Sequence, residues 1–598
     1  MCYAVGRVRG LAISRKRRKM TTYAERPWLQ SYDVGMPTSL DVPEVPLHQL
    51  LKDTRARIPH HTALITPASL PLLGRISQSV TYEELDRASD ALAAGLLDMG
   101  LKKSDRVAIV MPNSVAFVIS FYAILKAGGV VAATNPTYPA EKMAHQINDC
   151  DAKFVLAMTL FYGLVKEIQP RTKVQTVIAA NIKEYLPPLA KLLFTIARER
   201  RDGHFVEQLA DGDHWFQDVL SKYDGKQPNV SVSADDLAIF QYTGGTTGVA
   251  KAAMSQHRAL VANMLMTEGI LKLLDLPPEA EIFLGAIPFF HVYGLVIVVS
   301  TSVYRGSKIV LVPNPRDIGE VLGNIETFRT SLFPGVPALY NAINNHPLVQ
   351  SGDVDLSSLS LCISGSAPLP ESTKAEFERL TGATLREGFG MSEAPTATHV
   401  NPVFRDTRPA SIGLPLPGMD MRIVSLEDGE KDVPVGEIGE LLMAGPNLMV
   451  GYHGMLEETQ TALREQGGKR WLYTGDIARM DEDGYFYIVD RKKDMALIGG
   501  FNVYPATVEK AVSAHEAVLE VGVAAIPHPE RAGQEALKAW IVRKPGAQLT
   551  AEQVIEFLGD KLAPYEIPRR IAFIDELPKT AVGKTLRREL AQMEAEMD

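Results

Sequence analysis

The stretch YTGGTTGVAK, residues 242–251, places three glycines and three threonines ahead of a lysine. Glycines let a backbone approach a ligand closely, and successive N–H groups can form an anion-binding nest. The hydroxyls of Thr243, Thr246 and Thr247 add donors, Gly244, Gly245 and Gly248 supply the bends, and Lys251 supplies a cation. Such a loop can cradle a phosphate chain. It is not a Walker loop, which requires G-x-x-x-x-G-K-[ST], because Val249 and Ala250 separate Gly248 from Lys251. A Walker loop generally works at the terminal phosphate, and this one need not. A flexible Gly/Thr surface loop is the alternative. His291, in IPFFHVYG, is a lone histidine in an apolar stretch, a pattern that a structural core residue also fits. Nothing supports a Ser/His/Asp triad or a metal-ligating histidine cluster. Cys2, Cys150 and Cys362 are far apart, with no metal or disulfide spacing, which points to a reducing compartment.

A loop of this kind must be held by strands and helices. LAIFQYT reads as the strand feeding it. TYEE (81–84) is a capping box, and Leu85, Ala88, Leu92 and Leu96 then share one helical face. RVAIVMPNS reads as a buried strand, AFVISFYAILKAGG as an apolar helix and VVAATNP as the next strand. This βαβ rhythm predicts an α/β fold with largely parallel sheets and ligands at the carboxyl ends of the strands. From about Pro415 short strands dominate (MRIVS, GEIGELLMAG, YFYIVD), predicting a β-rich subdomain within a large, multi-lobed N-terminal domain. DRKKD (490–494) reads as a polar junction. Beyond it lies a compact α+β unit with VLEVGVAAIP and ALKAWIVRK as strands.

The 598 residues suggest several folding units, and 46% hydrophobic content fills large cores. A net charge of −9 argues against a general nucleic-acid binder. The apolar runs 116–133 and 294–312 are interrupted by Lys126 and by Arg305 and Lys308, so they read as buried elements, not membrane spans. The first nineteen residues carry seven basic and no acidic side chains. The order of charge and apolar residues does not suit a signal peptide. Residues 1–24 therefore read as a basic extension, with Met20 as the expected initiator and a membrane-touching arm as the alternative. The segment 182–201, IKEYLPPLAKLLFTIARERR, mixes apolar and basic residues at helical spacing. It is expected either to pack on the body or a partner subunit, or to dip into a membrane interface.

YTGGTTGVAK resembles the phosphate loop of the adenylate-forming superfamily, which includes acyl-CoA synthetases, firefly luciferase and the adenylation domains of peptide synthetases. SGSAPL (364–369), EGFGMSEA (387–394), YTGDIARMDEDGYFYIVDRKKD (473–494) and PKTAVGKTLRREL (578–590) follow in the family's order. The resemblance spans roughly residues 25–595. It is nearest to bacterial long-chain fatty-acid–CoA ligases through WLYTGDIARMDEDGYFYIVDRKKDMALIGGFNVYP and the N-terminal RPWLQSY.

The resemblance implies a role for each matching residue. Glu393, with Thr243, would hold Mg²⁺, a solvated helix-start carboxylate being its rival reading. Ser392 stands where the family often has threonine and keeps the hydroxyl for the α-phosphate. Phe389, often tyrosine elsewhere, would stack on adenine between Gly388 and Gly390. Gly365, Ser366 and Ala367 would form the other wall of that pocket. Asp476 resembles the ribose-binding aspartate, whose two oxygens accept both hydroxyls. Arg491 would contact ribose or phosphate, with a structural ion pair as its rival. Lys493 sits at the family's hinge, and Gly499 and Gly500 lie in the segment that approaches the thiol route after rotation. Lys584 resembles the mobile lysine that contacts the substrate carboxylate and α-phosphate, Lys579 being the alternative assignment. His291 would line the acyl and α-phosphate region, and the apolar stretches 287–299 and 332–340 would line the acyl pocket. Tyr473, Ala496 and Gly499 depart from residues common in related ligases, which puts chain-length preference in doubt.

The implied domains are 25–489, a hinge at 490–494, and a small mobile α+β unit at 495–598. The implied reaction is ATP-dependent adenylation of a long-chain fatty carboxylate, then thioester formation with CoA. Its rivals are an acyl-AMP ligase serving a carrier protein, an aryl or medium-chain acid–CoA ligase, and a non-catalytic AMP- or lipid-binding relative. With fourteen residues after Lys584, no fused carrier is expected. The expected partners are fatty acid, ATP and CoA, with no nucleic acid. Peripheral membrane contact, a homodimer and a cytoplasmic location are further expectations.

Overall fold

A computed structural model describes residues 22–70, 73–243, 250–277, 280–498, 500–528, 534–580 and 583–595. Most of residues 1–24, the loop residues Gly244, Gly245, Thr246, Thr247 and Gly248, and Gly499 therefore lie outside the described residues. Two large sheets carry the N-terminal part. The eight-stranded sheet has a parallel centre, with Leu237–Thr243, Val130–Ala133, Arg106–Val110, Phe154–Met158 and Thr176–Ala180 as successive neighbours. The nine-stranded sheet has a second parallel set, running from Lys308–Leu311 through Ile282–Gly285, Leu332–Gly335 and Leu361–Ser364 to Thr384–Met391.

Local sequence explains the elements between the sheets. Thr81 caps the helix Tyr82–Asp98 as the capping box predicts: Glu84 N donates to Thr81 Oγ1 (3.2 Å) and Thr81 N to Glu84 Oε2 (2.7 Å). Leu85, Leu92 and Leu96 of that helix are fully buried. Every residue of the neighbouring helix Val115–Lys126 is buried, as an all-apolar helix must be. The lysine that ends it is buried too. Lys126 Nζ lies 2.6 Å from Asp86 and 2.7 Å from Asp90, one helical turn apart on the capped helix, so its charge is matched where water cannot reach.

The two sheets are tied where the site forms. Asn113, just past the strand Arg106–Val110, donates to Gly285 O and Ile287 O (both 2.8 Å) and accepts from Phe289 N (2.8 Å). This registers the carboxyl end of one parallel sheet against that of the other, where ligands of open α/β sheets bind.

The expected β-rich subdomain is an antiparallel five-stranded sheet of Asp420–Val424, Gly439–Ala444, Leu463–Gln466, Lys469–Met480 and Phe486–Arg491. From Ala496 onward the chain builds its own cores, around Val508, Val523 and Ile541 and around Trp540, Leu577 and Leu590. Their frame is the sheet of Val518–Pro527, Glu535–Arg543 and Arg570–Phe573. Among the described residues, no helix is long and apolar enough to cross a membrane.

Candidate active site

The strands Leu237–Thr243 and Lys251–Gln256 pair antiparallel with Thr243 opposite Lys251. The threonine hydroxyl and the lysine cation therefore stand side by side at the end of this strand pair. Lys251 Nζ stands 5.2 Å from the centroid of the Tyr452 ring, within cation–π range. The Tyr452 hydroxyl in turn donates to Glu393 Oε1 (2.8 Å). Burial and the Glu393 carboxylate hold that phenol well above its ordinary pKa, so it stays a donor.

Tyr452 is a residue the motifs did not flag. The short strand Gly451–Tyr452 pairs with the hairpin through Tyr452 and Ala253, Tyr452 N donates to Thr459 Oγ1 (2.9 Å), and Met449 N donates to Glu393 O (2.8 Å). Only strand pairing brings residue 452 to residue 393, and the sole hint in the sequence is an aromatic after the glycine of LMVGYHG.

Glu393 is half-buried in a turn between the strands Thr384–Met391 and Ala394–Val400. No helix begins there, so the helix-start reading of this carboxylate is corrected. Phe389 pairs across these strands with His399, ring to ring at 5.9 Å. A Cβ on Gly390 would stand 1.6 Å from Thr396 O, so only glycine permits this pairing, whereas one on Gly388 would press on the Ile363 side chain at 3.3 Å. Gly365 lies against the Tyr293 ring, and Ser366 adopts a left-handed φ of 70° where the chain turns off its strand. Ser366, Ala367, Phe389, Ser392 and Glu393 are all half-buried.

Asp476 and Arg491 face each other across antiparallel strands. Arg491 Nε lies 3.1 Å from Asp476 Oδ1. Asp476 is 1% exposed, and its Oδ2 is buried without a hydrogen-bond partner among the described residues. A buried carboxylate oxygen normally accepts hydrogen bonds, so this one has capacity for a ligand's hydroxyls. The ion pair expected as a rival reading of Arg491 exists, and it leaves half of Asp476 free.

Lys584 comes from the far end of the chain. A tight turn carries it: Thr580 N donates to Lys584 O (2.8 Å), Gly583 N to Thr580 O (2.9 Å), and Gly583 has a φ of 79°. A Cβ on Gly583 would lie 3.7 Å from Ala338 Cβ, on the helix Pro337–Asn344 beside the nine-stranded sheet. Burial and the Arg491 charge lower the Lys584 ammonium to about 8, with Lys493 acting in the same direction and Asp476 and Asp494 opposing. Burial and Arg491 likewise lower Lys493 to about 8. Arg491, Lys493 and Lys584 thus form one crowded cationic group around Asp476. Lys579, the alternative to Lys584, is engaged elsewhere in a two-pronged pair with Glu520 (2.6 and 2.7 Å).

The junction 490–494 is held by Arg587, whose guanidinium reaches Asp490 (2.6 Å), Asp494 (3.4 Å) and Glu509 (2.6 Å). Gly500 is at the exposed tip of the hairpin joining Ala496–Ile498 to Phe501–Val503. His291 is half-buried, and burial lowers its pKa to about 4, so its ring is neutral at pH 7. Tyr293 N donates to its Nδ1 (3.2 Å), which leaves the proton on Nε2.

Two parallel sheets joined at their carboxyl ends, with a lysine brought to them by a separately cored C-terminal unit, define an enzyme of the adenylate-forming class. The sequence model described as AMP-binding enzyme matches residues 51–453, and that of the AMP-binding enzyme C-terminal domain matches residues 507–584. The chain belongs to the AMP-binding enzyme family. It is 38% identical to a long-chain-fatty-acid–CoA ligase of Bacillus subtilis (strain 168), over 96% of this chain and 99% of that one. It is 34% identical to the long-chain-fatty-acid–CoA ligase of Escherichia coli O6:H1, over 95% and 98%. Its fold is similar to that of ATP-bound MatB from Rhodopseudomonas palustris, with a TM-score of 0.77 and 27% identity, over 92% of this chain and 100% of that one.

Proposed function

We propose that the chain is an AMP-forming long-chain fatty-acid–CoA ligase. The observation that carries this reading is the gathering of Arg491, Lys493 and Lys584 around Asp476, with Lys584 brought from a separately cored unit against the nine-stranded sheet. The near-full-length likeness to curated long-chain ligases supports the choice of acid and of CoA.

The chemistry joins two anions. A fatty carboxylate oxygen bonds to the α-phosphorus of ATP, the bond from that phosphorus to the bridging oxygen breaks, and pyrophosphate leaves with the electron pair. The thiol of CoA then attacks the acyl carbon, loses its proton, and releases AMP. Asp476 Oδ2 accepts from ribose, and Phe389 stacks on adenine against Gly365, Ser366 and Ala367. Thr243, the glycine loop and Lys251 hold the departing phosphates. Lys584 bridges carboxylate and α-phosphate as a mobile point cation, and the Nε2–H of His291 is a neutral donor toward the acyl carboxyl.

Among the described residues no group of three His, Cys, Asp or Glu is placed to hold a metal. A carboxylate (Glu393) with a hydroxyl (Thr243) fits an ion held mainly by substrate and water, as Mg²⁺ is. Bound there, Mg²⁺ would neutralise phosphate charge. Residues 25–489 and 495–598 act as two bodies about the junction 490–494, and rotation at Lys493 takes Lys584 away and brings Gly499 and Gly500 to the thiol route.

The test is a panel of short-, medium- and long-chain acids and aryl acids with ATP and CoA, following AMP and thioester together. Coupled release, greatest with long chains, is expected. Adenylate without thioester would overturn the CoA ligase reading in favour of a carrier-serving enzyme.

Two further outcomes are expected. The Lys493 and Lys584 ammonium groups are charged below about pH 8 and lose charge above it. kcat/KM for ATP should therefore fall as pH rises through about 8. The kcat profile should fall at higher pH, because a bound anion raises both pKa values. In the Tyr452→Phe variant the ring under Lys251 remains and the bond to Glu393 is lost. The Mg²⁺ concentration for half-maximal ATP binding, read by calorimetry, should rise by roughly tenfold or more with the melting temperature nearly unchanged.

A further inference from the structure

The helix Pro188–Ala197 is built inside out. Its apolar stripe, Leu189, Leu192, Leu193 and Ile196, recurs at i, i+3, i+4 and i+7, the spacing that ordinarily faces a core. All four side chains face solvent instead, at 43%, 55%, 43% and 76% exposure, and Ala190 is the helix's one buried residue. Phe205 adds to the exposed apolar surface. So does Leu160, whose Cδ1 lies 3.1 Å from where a Cβ on Gly203 would stand.

The excursion that carries this stripe is firmly footed. Buried Glu199 accepts from Asn181 Nδ2 (2.8 Å) and from Lys183 Nζ (2.6 Å), and Asn181 Nδ2 also donates to His204 O (3.2 Å). The Phe194 ring packs edge-on against buried His204 at 5.5 Å. A stripe held out in this way is a designed face, since exposed apolar patches mark interaction sites.

Charge identifies the occupant. Residues 182–205 contain five basic and three acidic side chains in a chain whose net charge is −9. Glu199 is spent on the footing, Glu184 on Lys191 (2.6 Å), and Asp202 is shared between Arg198 (2.8 Å) and Arg201 (2.9 Å). Arg200 stands over the Phe205 ring at 3.5 Å. The apolar stripe is thus rimmed by an excess of arginine, the combination that seats an interfacial helix in an anionic bilayer.

We propose that this face docks the enzyme on an anionic lipid surface. The reason for such docking rests on the fatty-acid ligase reading, because a long-chain acid partitions into bilayers. The placement suits it. The helix follows the carboxyl end of the strand Thr176–Ala180, in the same parallel sheet as Leu237–Thr243. Both therefore leave the same sheet edge, four strand spacings or roughly 19 Å apart.

The test is co-sedimentation of the full chain with vesicles of phosphatidylcholine alone or mixed with phosphatidylglycerol, which needs no catalytic activity and so separates this proposal from the ligase reading. Wild type should sediment with the mixed vesicles and far less with the neutral ones. The Leu192→Glu/Ile196→Glu variant should lose binding by roughly tenfold or more, with melting temperature and turnover of a soluble short-chain acid unchanged. Arg200→Ser/Arg201→Ser should lose only the phosphatidylglycerol-dependent part. Equal sedimentation of the glutamate variant and wild type would overturn the proposal, as would failure of wild type to bind. So would a wild-type dimer that the glutamate variant splits while neither form binds vesicles, since the occupant would then be a second copy.

Discussion

Lys584→Ala is expected to lower the rate of acyl-adenylate formation by roughly 10²- to 10³-fold, the usual cost of removing one preorganised charge-stabilising group. Thioester formation from supplied acyl-adenylate should fall by less than about fivefold, because in that step the P–O bond Lys584 helps to form already exists. The asymmetry follows from where the lysine sits. It is held by the 580–584 turn, half-buried, with its ammonium pressed down to about 8 by burial and Arg491. A lysine crowded by other cations is costly unless an anion arrives to neutralise the group, and two anions meet there only in the first half-reaction. Pyrophosphate exchange measures that step, and mixing with synthetic acyl-adenylate measures the second. Equal losses in both would sink the assignment. Lys579→Ala serves as the control. Its ammonium is already held by Glu520 (2.6 Å), so it should leave the ratio of the two half-reactions unchanged.

Asp476→Asn should lower kcat/KM for ATP by roughly 10²-fold, chiefly through KM. Hydrogen bonds to a charged acceptor contribute about 1.5–3 kcal/mol each, and the buried Oδ2, unpartnered among the described residues, is the acceptor proposed for ribose. The amide puts a donor where an acceptor is needed. A second readout separates this from simple loss of structure. Asp476 raises the pKa of both Lys493 and Lys584. Without its charge both fall further below their ordinary value, so the alkaline limb of kcat/KM should move to lower pH. An unmoved limb with weakened ATP binding would mean that the aspartate does not govern the cationic group.

Much of the fold is legible along the chain because its signals are local. The Thr81–Glu84 capping box, the wholly apolar helix ending in Lys126, and the β-rich texture after Pro415 each depend on residues a few positions apart. The adenylate-forming motifs are legible for the same reason: YTGGTTGVAK, EGFGMSEA and YTGD each keep their chemistry in one short run. These runs point to Glu393 and Asp476 as candidate site residues. They do not point to Tyr452, because a tyrosine after a glycine carries no chemistry until strand pairing sets its hydroxyl 2.8 Å from Glu393. The fate of the two C-terminal lysines was equally hidden, since the motif alone cannot show that Lys579 is spent on Glu520.

The sequence by itself determined the class of fold, the order of its parts, and the residue types able to bind a nucleotide and move its α-phosphate. These rest on periodicity, capping and contiguous motifs. Tertiary structure decided which charges meet. It buried Lys126 against Asp86 and Asp90, left one oxygen of Asp476 free beside Arg491, and turned the stripe of the helix Pro188–Ala197 outward. Each outcome depends on which distant segment lies opposite. A helical apolar pattern states only that one face avoids water. Whether a core or another surface covers that face is settled by packing over the whole chain.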